Sequence, residues 1–331
     1  MATPTVDDLE ALRIPLTAYC YRMFGSVADT DDAVQEAIVR AYTHRDDYEA
    51  SRGDLRAWVF GIATNVCLDL LRGARRRALC VDLGPAAVLG AALGAPLAAE
   101  RFVEPMPDAR LVTARDPGET VVERETVRLA FAAALQHLAP RQRATLVLRD
   151  VLRFSAAETA VLLDTTPAAI NSALQRARET LERRQPSPSD PFDPADADQR
   201  ELLDRYVAAF EAHDVAALTA LLRADARTSM PPFAWWVEGA ATIAALVGSG
   251  GCEGARLAPT AISGQPGFGQ YRPDEQGVLR PFALVLAETR GRHIVGLTTF
   301  LGTAERFPEF GLPPVLEPAR ARTDESVGHR T

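Results

Sequence analysis

Residues 154–178 read FSAAETAVLLDTTPAAINSALQRAR and form the sharpest local pattern in the chain. Ser155 and Glu158 have the spacing of a capping box, in which a serine and a glutamate satisfy the free amides at a helix start. The helix that they open is short and ends at Leu163-Asp164-Thr165. Thr166-Pro167 then begins a second helix, with threonine as N-cap and proline at the first helical position. Two helices joined this tightly predict a helix-turn-helix, whose second helix is the recognition helix.

The predicted recognition helix has one apolar face and one polar face. The apolar positions recur at helical spacing and are Ile170, Leu174, Ala177 and Leu181. The opposite face carries side chains of the kinds that bind DNA, namely Asn171, Ser172, Gln175, Arg176 and Arg178. Asparagine and glutamine amides can pair with adenine edges, arginine with guanine or phosphate, and serine with a phosphate oxygen. A polar helix face is often only solvated, but here it follows a capped helix and a tight turn.

The N-terminal part of the chain is predicted to form three further helices. The first follows a stripe from Leu9 to Met23 and ends at Gly25, and the second begins after Asp29-Thr30. The second helix is acidic and polar on its outer face, at Asp32, Gln35 and Glu36. That face suits either solvent or a protein partner of complementary charge. The third helix is expected to start near Asp54 and to run to about Arg77.

The end of this third helix is locally basic, with Arg72, Arg75, Arg76 and Arg77 and no acidic residue among them. Cations are favoured at a helix C-terminus by the helix dipole, and the same cluster can contact phosphates at a second place on DNA. Trp58 lies near the start of the helix. It is either a core residue or an aromatic that stacks on an unpaired base.

Composition limits the classes of protein that the chain can belong to. It has 331 residues, enough for two to three domains, and 47% of them are hydrophobic, so disorder throughout is excluded. All 36 basic residues are arginine, against 44 acidic residues, for a net charge of −8. Up to Gln185 there are 23 arginines and 25 acidic residues, and beyond it 13 and 19. A wholly basic nucleic-acid coat is therefore excluded, but local basic faces on the first half are not.

Four cysteines without metal-ligand spacing predict neither a metal site nor a disulfide framework, and a reducing, cytoplasmic compartment is expected. The N-terminus lacks the features of a signal peptide, and no stretch is predicted to span a membrane. No cofactor is expected.

Proline-rich and glycine-rich stretches divide the chain. We expect helical domains at residues 7–78 and 119–185, linkers at 79–118 and 186–197, a C-terminal domain at 198–318 and a disordered tail at 319–331. The C-terminal domain is expected to begin with two helices interrupted at His213-Asp214. A later helix and a hairpin of Phe282–Thr289 and Arg292–Leu301 make the predicted fold α+β.

These motifs carry a resemblance to a known family. Asp31-Asp32-Ala33-Val34-Gln35-Glu36-Ala37 resembles region 2.2 of bacterial sigma factors, and Leu55 to Asn65 followed by Leu68 to Arg72 resembles their regions 2.3 and 2.4. The stretch from Leu138 through Arg178 resembles region 4. Regions 1 and 3 are missing, which is typical of the extracytoplasmic-function (group IV) sigma-70 family. The resemblance implies two all-α sigma domains, a helical bundle and a helix-turn-helix.

The C-terminal part resembles a SnoaL-like domain of the ketosteroid-isomerase-like superfamily. Tyr206 to Asp214, Leu221-Leu222 and Met230-Pro231-Pro232 carry that resemblance and imply an α+β cone. The segment Phe102-Val-Glu-Pro-Met-Pro-Asp108 resembles the linker motif of sigma factors that have such a tail. It implies a regulatory role for Phe102, Glu104, Pro105 and Asp108.

The sigma-factor resemblance implies a role for each motif. Asp32, Gln35 and Glu36 would bind the β′ clamp helices of core RNA polymerase, and region 4 would bind the β flap. The −10 promoter element would be handled by Arg56, Trp58, Asn65, Arg72, Arg75 and Arg76. The −35 element would be read by Thr166, Asn171, Ser172, Gln175 and Arg176. The tail would regulate in cis through the linker motif, with a small ligand as one way to shift the balance.

Two other functions remain open at this point. The first is a DNA-binding domain fused to a small isomerase or cyclase, for which the tail offers Asp214, Trp235, Trp236, Glu238, Glu288 and His293. No pair among these has a spacing that demands catalysis, and the two tryptophans are expected in the core or at an interface. The second is a helix-turn-helix regulator that acts without polymerase, but such a regulator does not need the block at 29–72.

Overall fold

The computed structural model describes residues 3–51, 53–73, 76–112, 124–184 and 189–317. Arg75 and the tail at 319–331 lie outside these ranges. Within them, the four cysteines are free thiols. No helix in this part of the chain is both long and apolar enough to cross a lipid bilayer.

The described part of the first domain includes α1 (Val6–Glu10), α2 (Arg13–Phe24), α3 (Val27–Thr43) and α4 (Leu55–Leu70), with a short 3-10 helix (Arg45–Asp47) after α3. The expected single first helix is wrong, because the chain turns at Ala11-Leu12 and starts again as α2. The expected end of the third helix near Arg77 is also wrong. That helix stops at Leu70, and Gly73 follows with a φ of 83°, a left-handed conformation that favours glycine.

The described part of the second domain includes α5 (Leu129–Leu135), α6 (Pro140–Leu146), α7 (Ala156–Leu162) and α8 (Pro167–Arg184), with a π-helix (Val147–Val151) directly after α6. The capping box expected at Ser155 is present, with the Glu158 amide donating to Ser155 Oγ at 3.1 Å. Thr166 caps α8 by accepting from the Ala169 amide at 3.2 Å. Asp164 makes the tight connection with a φ of 47°. The helix-turn-helix predicted from residues 154–178 is therefore present.

The two helical domains share one hydrophobic core. It joins buried residues of α2, α3 and α4 to buried residues of α6, α7 and α8. Phe60 on α4 packs against Phe154 with ring centroids 5.8 Å apart. Gly61 lies so close to Leu162 that a Cβ at position 61 would be 2.9 Å from its side chain. We call this packing of the two helical domains the closed arrangement.

The C-terminal domain combines three helices with one mixed sheet. The helices are α9 (Ala197–Glu211), α10 (Val215–Leu221) and α11 (Ala240–Gly248). The strands are β1 (Leu222–Ser229), β2 (Trp236–Glu238), β3 (Arg256–Ile262), β4 (Gln265–Pro273), β5 (Leu279–Arg290) and β6 (His293–Leu301). Their order is β2-β1-β6-β5-β4-β3, with β1 and β6 parallel and the other pairs antiparallel. The expected helix pair and final hairpin are present, but the sequence pattern missed the other four strands.

Both faces of this sheet are covered. The inner face packs on α9, α10 and α11, through side chains such as Tyr206, Phe210 and Phe268. The outer face packs on the linker, on α2 and α5, and on the short 3-10 helix Ala304–Phe310. The sheet thus joins the C-terminal domain to both helical domains.

The first linker follows the surface of the other domains in its described part. Ala78 and Phe102 form a bridge, and Cys80 Sγ donates to the Phe233 carbonyl at 3.2 Å. Trp236 Nε1 donates to the Gly84 carbonyl at 2.9 Å. Trp235 is buried in the core, so both tryptophans lie where the sequence placed them, one in the core and one at an interface.

Arg143 connects the two helical domains from inside the core. It is 4% exposed, and it donates to the Met23 carbonyl, to Gln136 Oε1 at 2.7 Å and to the Leu138 carbonyl at 3.2 Å. Burial lowers its pKa to about 10, so the guanidinium remains charged at neutral pH. Met23 lies in the last turn of α2, whose free carbonyls favour a cation.

We expect Arg143→Met to destabilise the folded chain by about 2–4 kcal/mol, because the buried carbonyls lose their donors. Arg176→Met is the matched control, since Arg176 is exposed on α8. Thermal denaturation of both variants checks this. Equal melting temperatures for the two variants would contradict the structural role of Arg143.

Candidate polymerase and promoter interface

The recognition helix α8 presents its expected polar side chains to solvent. Ile170, Leu174 and Ala177 are buried on its other face. The exposed set comprises Thr166, Asn171, Ser172, Gln175 and Arg176. Arg178 is exposed as well, but its guanidinium makes a paired contact with Asp150 at 2.9 and 2.6 Å. Five of the polar groups are therefore presented together for base or phosphate contacts.

The acidic face of α3 is also exposed, and it is bordered by the linker. Asp32, Gln35 and Glu36 point away from the core, and Glu36 pairs with Arg40 at 2.6 Å. Asp31, one residue before this set, forms an ion pair with Arg110 of the linker. A groove of about 380 Å³ lies where the linker meets this face. The exposed acidic face has the charge expected of a surface that binds a basic partner, and Arg110 of the linker covers one edge of it.

Three of the side chains expected at the −10 element lie on α4 in different surroundings. Asn65 is exposed. Trp58 is half-buried against Tyr48, with ring centroids 5.5 Å apart. Arg56 donates to the Leu152 carbonyl at 3.2 Å, and its guanidinium lies 4.7 Å from the Phe154 ring centre. In the closed arrangement Arg56 therefore contacts the second helical domain.

The arginine cluster after α4 is divided by the structure. Arg72 and Arg76 are exposed, with Arg72 lying 3.2 Å from Asp69. Arg77 is buried, pairs with Asp29 at 2.9 Å and donates to the carbonyls of Ala99 and Phe102. The expectation of one basic cluster from Arg72 to Arg77 is wrong at Arg77, because this side chain is buried and binds the linker backbone. Arg75 lies outside the described residues.

The linker motif Phe102 to Asp108 is docked between two domains. Phe102 and Pro105 are buried. Glu104 accepts from the Val27 amide at 2.6 Å, where its carboxylate meets the N-terminus of α3. Asp108 accepts from the Gly264 amide at 2.7 Å and pairs with Arg124 at 3.3 Å. Burial raises the pKa of Asp108, and these contacts oppose the rise.

A buried hydroxyl joins the motif to both neighbouring domains. Tyr21 on α2 donates to the Glu104 carbonyl at 2.7 Å and lies 3.1 Å from Ser263 Oγ. Ser263 exchanges hydrogen bonds with Met106, at 3.0 Å to its amide and 2.8 Å to its carbonyl. Sequence reasoning missed Tyr21 and Ser263. The one available signal was Ser263-Gly264, a turn pair between two short apolar runs.

The tail residues considered for catalysis do not form one site. Asp214 caps α10, Glu238 pairs with Arg227 at 2.9 Å, and Trp235 is in the core. His293 is exposed at the end of the β5–β6 hairpin. Glu288 faces the outer side of the sheet, next to α5.

Comparison with known proteins gives a family. The chain matches Sigma-70 region 2 over residues 9–77 and Sigma-70 region 4 over residues 128–181. It is 42% identical over 318 residues to the ECF RNA polymerase sigma factor SigG of Mycobacterium tuberculosis. That match covers 93% of this chain and 83% of SigG. SigJ of the same organism, also an ECF RNA polymerase sigma factor, is 33% identical over 220 residues, 66% of this chain and 62% of SigJ.

The crystal structure of the M. tuberculosis extracytoplasmic-function sigma factor SigJ superposes with a TM-score of 0.59 at 26% identity. The match covers 93% of this chain and 100% of that chain, so it includes the C-terminal domain. The expected fold, two all-α sigma domains followed by an α+β SnoaL-like cone, is confirmed.

A helical bundle and a helix-turn-helix with these two family matches define a promoter-specificity subunit of RNA polymerase. The chain belongs to the family of ECF RNA polymerase sigma factors. It is therefore a transcription initiation factor that acts with core RNA polymerase at specific promoters.

Arg176→Ala is expected to reduce transcription from a promoter with an intact −35 element by about 5-fold to 100-fold, equivalent to about 1–3 kcal/mol for a lost base contact. Arg183→Ala removes the same charge from the same helix, two turns further on, and should have little effect. The reduction should disappear on a template whose −35 element is scrambled. Equal losses for both variants on both templates would show a general electrostatic effect instead.

Proposed function

We propose that this sigma factor is regulated in cis by its C-terminal domain, which holds the linker motif and keeps the two sigma domains in the closed arrangement. The proposed domains are 7–78, 119–185 and 198–318. The proposed polymerase contacts are Asp32, Gln35 and Glu36 on the β′ clamp helices, with region 4 on the β flap. The proposed −10 contacts are Arg56, Trp58, Asn65, Arg72, Arg75 and Arg76. The proposed −35 contacts are Thr166, Asn171, Ser172, Gln175 and Arg176.

The docked linker motif is the single observation that carries this proposal. The motif contacts α2 through Tyr21, the start of α3 through Glu104, and the β3–β4 turn through Ser263 and Gly264. Movement of the C-terminal domain therefore acts on the linker that connects the two sigma domains. A regulator in cis needs such a mechanical connection.

The closed arrangement is the restrained state in this proposal. A promoter presents its two elements apart on the duplex, and one turn of DNA alone spans about 34–36 Å. Two domains that share a hydrophobic core cannot reach both elements together. Arg56 must also leave the Phe154 ring before it can contact DNA. Activation is the separation of the two domains on polymerase.

The linker also connects docking to polymerase binding. Asp108 is held by the Gly264 amide, and Arg110, two residues later, is paired with Asp31 beside the proposed clamp-binding face. When the C-terminal domain is docked, an arginine therefore neutralises a carboxylate at the edge of that face. Undocking frees Asp31 and adds negative charge to the surface that polymerase binds.

The proposed role of the C-terminal domain does not include catalysis. Its interior, between the sheet and α9, α10 and α11, is filled by side chains such as Tyr206, Phe210, Trp235 and Phe268. Of the six candidate residues, only Trp236 and Glu288 line a common cavity. We expect the protein to work in the cytoplasm, where polymerase acts on DNA.

Gly264→Ala is expected to release the linker and to raise transcription by core polymerase at least severalfold. A Cβ at Gly264 would overlap the Arg124 carbonyl, and the φ of 73° adds strain. Gly277→Ala is the matched control, since Gly277 lies in the β4–β5 turn with a φ of 79° and open space around it. In vitro transcription should rise for the first variant alone, and toward the level of a chain truncated after Gln185. Unchanged activity of both variants and of the truncated chain would refute regulation in cis.

Arg110→Ala should tighten binding to core polymerase by about 2-fold to 5-fold, since exposed ion pairs contribute about 0.2–1 kcal/mol. Arg280→Ala removes an ion pair with Asp274 on the C-terminal domain, and it should leave the affinity unchanged. Titration of labelled core polymerase measures both. Weaker binding of the Arg110 variant would mean that Arg110 itself contacts polymerase.

A further inference from the structure

A cavity of about 770 Å³ lies between the C-terminal domain and the second sigma domain. One wall is the outer face of β1, β5 and β6, and the opposite wall is α5, with linker residues 79–82 closing one side. This cavity is separate from the filled interior of the C-terminal domain. Its volume is within the range of about 300–1,000 Å³ that is typical of small-molecule sites.

A buried carboxyl group lies in the wall formed by the sheet. Glu288 lines the cavity, and its Oε1 atom is buried without a hydrogen-bond partner. Burial raises the pKa of Glu288, while Arg128, a hydrogen bond with the Gln265 side chain and Arg227 act in the opposite direction. Gly296 lies beside it on β6, and a Cβ at position 296 would overlap the carboxyl group. An unpaired polar atom at this depth has a free-energy cost that a donor group on a ligand would remove.

The rim of the cavity carries charges of both signs, because Asp82 and Asp225 line it together with arginines. Three arginines line it. Arg223 is paired with Asp225, and Arg227 with Glu238. Arg290 is exposed and has no hydrogen-bond or ion-pair partner among the described residues. The rim therefore presents at least one guanidinium that is available to an anion.

The remaining lining is partly polar, at Asp82, His137, Ser229 and Thr298, and its apolar part comes from both walls. Ala130 and Ala134 line the cavity from α5, and Val295 lines it from β6. Leu79 of the linker and Trp236 complete this surface. A flat ring system between the two walls would replace water on both sides.

We propose that this cavity binds a small anionic amphiphile, whose ring lies between α5 and the sheet, whose acid group pairs with Arg290 and whose hydroxyl or amine donates to Glu288. Because the site has walls from two domains, the ligand binds only while the C-terminal domain is docked. Its occupancy therefore stabilises the docked arrangement. The effect of the ligand on transcription rests on the proposed regulation in cis, but the binding site does not.

The test uses 1-anilinonaphthalene-8-sulfonate, which has an acid group, aromatic rings and an N–H donor. We expect fluorescence titration of the full chain to show one saturable site. Arg290→Ala should weaken binding about tenfold, as for a lost charge-assisted contact. Arg292→Ala is the matched control, because it removes the same charge from the same hairpin and Arg292 does not line the cavity.

A second variant tests the apolar walls. Ala134→Phe places a ring inside the cavity and should abolish binding of the probe. Binding without saturation, or equal binding by the wild-type chain, the Arg290 variant and the Ala134 variant, would overturn the proposal. If the Ala134 variant lacks a cooperative thermal transition, its binding result is not used. The comparison of the Arg290 and Arg292 variants then tests the proposal.

The transcription assay separates this proposal from the proposed function. If the site binds the probe as expected and saturating probe lowers transcription by the full chain, both proposals are supported. Binding without any effect on transcription supports the site and contradicts its regulatory consequence. Loss of the saturable site, with Gly264→Ala still activating, overturns the site alone.

Discussion

The arrangement of this sigma factor depends on one buried hydroxyl group. Tyr21 brings the first sigma domain, the linker motif and the C-terminal domain to a single point, through Glu104 and Ser263. A buried hydroxyl has to keep its partners, because an unpaired polar group in the core costs free energy. The contact is therefore specific as well as attractive. It fixes the position of the linker, and the linker fixes how close the two sigma domains lie.

Several side chains have one partner in the closed arrangement and another proposed partner on polymerase or DNA. Arg56 contacts Phe154, and Asp31 pairs with Arg110. Such contacts make the closed arrangement and the polymerase-bound state mutually exclusive, because each side chain can contact only one of its two partners at a time. The closed state does not need to be very stable for this. A preference of a few kcal/mol keeps the open state rare and still leaves it within reach of polymerase binding.

The parts of the fold that were predictable from the sequence are those held by local contacts. The capping box at Ser155 and the cap at Thr166 depend on contacts within a few residues of the chain. The helix-turn-helix was therefore predictable from the sequence. The β4 strand was missed because Pro266, Gly267 and Gly269 obscure the strand pattern. The contact between Tyr21 and Ser263 joins residues 242 positions apart, and no local pattern encodes it. The charge of the proposed polymerase-binding face could be predicted from the sequence, but its contact with Arg110 could not.

The outer face of the sheet shows how undocking can be tolerated. A free sheet with an apolar outer face would be an aggregation hazard. Here part of that face is covered by the chain's own 3-10 helix, where Phe307 packs edge-on against Tyr271 of β4 at 5.1 Å and Phe310 is buried beside it. The linker and α5 cover the adjoining surface, near Ile262. Release of the linker therefore leaves the part of the outer face around β4 covered. Because the free-energy cost of exposure scales with the apolar area uncovered, a domain built in this way can undock without unfolding.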